Sequence, residues 1–250
     1  MAKVFFLLLI FLSLQVHAQE KMETDRPSET ENPSIVPKKW MQAEIGISKE
    51  NTGDNYILVL PVALLRYGIS KKIELRLESA LLREYEQLVP DPRTKTFTEP
   101  VVIGTKISLF EERSIRPKTA LLAQATIPLK AKAQPQTTNA TTAILLLMQN
   151  SVTKSFQVNY NLGVEYDDEA SAASWQYSFE SDLEITKKLE IFAEIFGSAQ
   201  KNEKPEHSFD AGIEFLATSN LKFDLAAGWG LSDNVPDHFI TLGFSFRLGR

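Results

Sequence analysis

Cysteine is missing from all 250 residues. That excludes disulfide frameworks and thiolate-held metal sites. Beyond the N-terminus no run approaches the ~20 apolar residues that a membrane-spanning helix requires. No stretch carries a helical apolar stripe either. Positive charge is in deficit, with a net charge of −5, so nucleic-acid binding has no electrostatic support and none is expected. HExxH, GxSxG and phosphate-loop motifs are absent. Histidine is scarce, with only His17, His207 and His238. His207 and Ser208 would suit a base and a nucleophile. As neighbours on a strand, however, they project to opposite faces. The acidic residues match no EF-hand or zinc spacing. No cofactor, metal or catalytic role is expected.

The N-terminus reads as an export address. "MAKVFFLLLIFLSLQVHAQE" has Lys3, an apolar stretch from Val4 to Leu14, then Val16-His17-Ala18. This is the charged, apolar and small-x-small order of a cleaved signal peptide, with the cut placed after Ala18. Residues 19–38, "QEKMETDRPSETENPSIVPK", are polar and carry three prolines, Pro27, Pro33 and Pro37. Such composition predicts a leader without regular structure. Two readings follow: a flexible periplasmic tail, which composition favours, or a plug with Asp25 and Arg26 pairing to charges inside a barrel.

From residue 39 onwards the chain alternates. In "FQVNYNLGVEY", Phe156 to Tyr166, every second residue is apolar or aromatic. Period two means a strand with one apolar and one wet face. The pattern recurs from Ile73 to Leu81, Trp175 to Ile185, Phe209 to Leu216, Leu221 to Trp229 and Ile240 to Leu248. With weaker strands near 40–48, 55–67, 99–110, 117–127, 139–149 and 188–197, the count is about twelve. Many are near the ~10 residues that cross a bilayer when tilted. Connections sort by parity. "GISK", "EERSIR", "NSVTK", "TKK" and "TSN" are short, while 83–99, 128–139, 167–173, 198–207 and 231–237 are longer and polar. Short turns at one end and long loops at the other suit an outer-membrane barrel. Aromatics at strand ends (Trp40, Phe156, Tyr166, Trp175 and Trp229) suit its interfacial girdles. The expected fold is all-β: a single antiparallel transmembrane barrel over residues 39–250, its apolar face meeting outer-membrane lipid.

The wet face is charged. Arg76 and Lys106 fall on it in the first half; Arg66 is a further candidate. Glu165, Glu180, Asp182, Glu184, Glu190, Glu194, Asp210, Glu214 and Asp224 follow in the second, with Lys222 as the clear cation. An acidic wall facing a few basic groups would favour cations in a water-filled lumen. A ladder of ion pairs in a closed barrel is the alternative.

Several segments together resemble the outer-membrane transporter-like family described as "Putative MetA-pathway of phenol degradation". They are "TDRPSETENP" (24–33), "LLRYGI" (64–69), "GTKISL" (104–109), "NLGVEY" (161–166), "FAEIFG" (192–197), "DAGIEF" (210–215), "NLKFDLAAGWGL" (220–231) and "ITLGFSFRL" (240–248). The resemblance implies an outer-membrane barrel that passes small, aromatic or apolar solutes. Thr241, Gly243, Phe246 and Leu248 resemble the terminal-strand signal read by the barrel-assembly machinery, although the chain continues to Gly249-Arg250. A channel or transporter is the reading, with a closed structural or surface-binding barrel as the alternative.

Overall fold

The computed structural model describes residues 21–87, 90–127, 140–167 and 172–249. The signal sequence lies outside them, as do parts of the connections at 88–89, 128–139 and 168–171.

Among the described residues thirteen strands form one sheet: β1 Met41–Thr52, β2 Asn55–Gly68, β3 Ile73–Glu86, β4 Arg93–Thr98, β5 Val101–Phe110, β6 Lys118–Ile127, β7 Thr141–Ser151, β8 Phe156–Asp167, β9 Ala172–Thr186, β10 Leu189–Gln200, β11 Glu206–Thr218, β12 Leu221–Gly230 and β13 His238–Leu248. Neighbours in sequence other than β4 and β5 pair antiparallel, and β1 pairs β13 from Met41↔Leu248 to Asn51↔His238, closing the ring. β4 and β5 occupy one position of that ring. β5 pairs the first part of β3, Ile73 to Glu78, and β4 pairs the last, Leu81 to Glu86. Pro100 lacks an amide hydrogen and interrupts the ladder between them. Glu99 still donates its N–H to the Ala80 carbonyl, 2.8 Å away. The ring is therefore a twelve-stranded barrel with one strand broken in two.

The strands run further than their apolar alternation. The 83–99 segment contains the end of β3 and all of β4, and the 167–173 and 198–207 connections shrink to 168–171 and 201–205. Beyond the alternating part of each strand a ladder needs only backbone hydrogen bonds, so polar residues join it without an alternation to reveal them. Parity of loop length weakens accordingly. The first connection is only Gly53-Asp54, and 111–117 is as long as 231–237.

Burial is inverted relative to a water-soluble fold. Leu162, Trp175, Phe179, Ile213 and Leu242 are exposed on the outside, whereas Glu44, Glu74 and Lys106 are 0% exposed inside. Tyr166, Trp175 and Trp229 point outward near strand ends. Trp40 instead lies against Gly249, with the Arg247 guanidinium 5.2 Å from its ring centroid. The inner face departs from polarity at β6 and β7. There Ala120, Leu122 and Leu147 form a small apolar cluster.

Candidate functional site

The inner wall at one end of the barrel is built from β1, β2, β3 and β5. Alternation puts Glu44, Arg66, Glu74, Arg76 and Lys106 on it, all buried. Register sets Arg66 directly opposite Arg76, and Glu74 opposite Lys106. Two arginines facing each other across a ladder repel. Glu44 and Glu74 of the wall each pair with Arg66 at 2.9 Å, and the leader completes the compensation. Asp25 places Oδ2 2.9 Å from Arg66 Nη1, 2.7 Å from Arg76 Nη1 and 3.0 Å from Lys106 Nζ. Burial alone would raise the Asp25 carboxyl. The three cations overrule it and hold it well below the usual carboxylate range. Glu31 adds a two-pronged contact to Arg76, 2.7 Å on each prong.

The leader segment from Lys21 to Val36 lies inside the barrel, against side chains of several strands. Met22, Thr30 and Val36 are buried. Wall carboxylates satisfy its backbone donors. Glu44 Oε2 accepts from Asp25 N–H at 2.9 Å and Arg26 N–H at 3.0 Å. Glu194 accepts from Glu29 N–H, Thr30 N–H and the Thr30 hydroxyl at 2.7, 3.0 and 2.6 Å. Glu74 accepts from Val36 N–H at 2.8 Å. Lys222 donates to Thr24 Oγ1 at 3.0 Å and Glu214 at 2.6 Å, and Lys21 pairs with Glu190. Arg26 donates to Asp224 Oδ1 and Thr241 Oγ1, each at 2.9 Å. The irregular segment has no ladder of its own, so side chains from the wall do that work.

The opposite wall, β8 to β12, carries the acids. Asp210, Glu194, Glu180 and Asn159 lie in one row of direct ladder pairs, and Asn159 Nδ2 donates to Glu180 at 2.9 Å. Asp182, Glu190, Glu214 and Asp224 are also on the inner face, with Glu165 and Glu184 nearer its ends. Above the leader the lumen widens into a cavity of about 340 Å³. Its lining mixes Glu29, Glu165 and Ser178 with Leu122, Leu145 and Phe196. Among the described residues no acidic or histidine cluster has the geometry of a metal centre.

The remaining sequence candidates separate. His207 faces outward, its Nδ1 2.6 Å from the Tyr177 hydroxyl, while Ser208 is buried on the inner side. In β13, Thr241 and Gly243 face the lumen and Phe246 and Leu248 the outside. Three roles escaped the sequence reading: Glu44 and Glu74 as acceptors for the leader's backbone, and Gly46 as a floor beneath Arg26. A lone arginine in the run "YILVLPVALLRYG" was the signal available for Arg66.

Residues 24–248 match the family model described as "Putative MetA-pathway of phenol degradation". No curated protein matches the sequence. Among solved structures, the chain is similar to an outer-membrane channel from Pseudomonas putida F1, at 9% identity and TM-score 0.69, over 90% of this chain and 100% of that one. It is similar to the NanC porin at 8% identity and TM-score 0.60, over 82% and 100%. It also resembles the KdgM porin in complex with disordered oligogalacturonate at 10% identity and TM-score 0.52, over 83% and 98%. At these identities the likeness is one of fold.

Proposed function

The chain belongs to the MetA-pathway phenol-degradation family, and from that membership we propose that it is an outer-membrane channel for small molecules whose lumen is plugged by its own leader. The observation that carries the reading is a closed barrel with a charged interior, filled at one end by residues 21–36 and open above them as the cavity of about 340 Å³. The apolar outer face is its contact with outer-membrane lipid. Export by the signal peptide and insertion by the barrel-assembly machinery would deliver it there. The acids of β8 to β12 outnumber the cations near them, so the path favours cations. No catalytic step is assigned: His207 and Ser208 are on opposite faces, and His207 is engaged by Tyr177.

The density of leader contacts favours a second reading, a closed barrel that serves structure or surface binding. Liposome swelling separates the two. Purified full-length protein and a form lacking residues 21–36 are compared with sugars, phenols and fatty acids as solutes. A plugged channel gives slow swelling that the deletion accelerates. Equal impermeability of both forms would leave the closed barrel as the answer.

A further inference from the structure

The strands that close the barrel meet at an unusual point. Gly46 on β1 and Gly243 on β13 are directly opposite each other. Paired glycines offer no cross-strand side-chain contact, so this seam lacks a stabiliser present elsewhere in the ring. The Arg26 guanidinium lies on them. A β-carbon on Gly46 would be 2.1 Å from Arg26 Cζ, and one on Gly243 would be 2.6 Å from Nε and Nη2. Neither glycine therefore has room for a side chain while Arg26 is in place, and a β-carbon on Gly243 would also be 2.7 Å from the Ile45 carbonyl oxygen of β1. The same guanidinium reaches Asp224 on β12 and Thr241 on β13, partners 198 and 215 positions away in sequence. Its backbone N–H is taken by Glu44 on β1.

The socket thus spans β12, β13 and β1, and its two glycine floors come together only when the ring closes. We infer that the inner wall at the β1–β13 seam is a guanidinium site, and that Arg26 fills it to clasp the closing strands together. Thr241 and Gly243 then serve the leader from inside, while Phe246 and Leu248 of the same strand face lipid. A planar guanidinium lies flat on peptide backbone while it bonds at its edge; a compact ammonium can bond but cannot lie flat. The assignment does not depend on whether the lumen conducts.

The test uses full-length protein extracted from outer membranes, with Arg26→Ala, Arg26→Lys, Gly46→Ala and the double variant Arg26→Ala/Gly46→Ala. Hydrogen exchange is read at β1 and β13 amides and, for comparison, at β7 and β8. Loss of the clasp makes seam amides exchange about tenfold faster, the scale of one charge-assisted hydrogen bond, with β7 and β8 unchanged. Lysine does not restore protection. Millimolar methylguanidinium slows seam exchange in Arg26→Ala, and methylammonium does not. Gly46→Ala, whose added β-carbon meets the Arg26 guanidinium first, reproduces the Arg26→Ala effect, and the double variant is no worse than either single one, because both remove the same contact. Additive effects, faster exchange all round the barrel, or equal rescue by methylammonium would overturn the clasp. Because Arg26 lies outside every strand, the rescue experiment stands even where Gly46→Ala fails to insert.

Discussion

Asp25 is the residue on which the leader's position turns. It is one carboxylate among three cations supplied by β2, β3 and β5. Asp25→Asn removes the central negative charge and leaves Arg66 facing Arg76. Breaking a buried pair from one side costs about 3–5 kcal/mol, so the leader should leave the wall more than a hundredfold more often. Cleavage after Glu29 or Glu31 by a glutamate-specific protease reads this directly; an unchanged rate would show that Asp25 does not hold the leader. Acid should act in the same direction. A carboxylate held below its ordinary value contributes its full docking energy above pH ~4 and loses it as pH falls through the lower, docked value. Protease sensitivity that rises on acidification below pH 4 is the expected sign. At this scale the sequence was partly legible. Asp25 and Arg26 stood out as charges beside a proline, but their partners could not be read. Which wall residues share a level depends on register across strands far apart in the chain.

The strand is the level at which the sequence spoke most clearly. The alternation of Phe156 to Tyr166 became β8, with Leu162 outside and Asn159 and Asn161 buried inside. Where both faces agree in polarity the pattern is silent. β6 and β7 carry Leu122 and Leu147 inward as well as apolar residues outward, and β4 carries polar residues on both faces. β4 was the missed strand, and β6 and β7 were among the weak ones, as were β1, β2, β5 and β10. A direct check of facing compares two neighbouring strands. Leu162→Arg, on the lipid side near mid-strand, should cost about 2–4 kcal/mol. Gln176→Arg, on the lumen side of β9, should cost far less. Reversible unfolding in urea with lipid vesicles gives both values, and equal costs would mean that the outer face does not meet lipid.

The whole molecule is a polar core enclosed in an apolar shell. Its charges are unevenly placed, with Arg66, Arg76 and Lys106 on one wall and the acids of β8 to β12 on the other. The leader bridges the two, giving Asp25 to the basic wall and Lys21 and Arg26 to the acidic one. Removing it should therefore open the lumen and expose an excess of carboxylates. Composition favours a free tail because a short, largely polar segment does not build a core of its own. What it could not show is a barrel supplying the hydrogen bonds and counter-charges that such a segment lacks. The most direct measurement is single-channel recording in planar bilayers under a salt gradient, with the full chain and with residues 21–36 deleted. The full chain should conduct weakly, and the deleted form several-fold more with a reversal potential favouring cations. Equal conductance of the two forms, or selectivity for anions, would contradict a leader-filled acidic lumen.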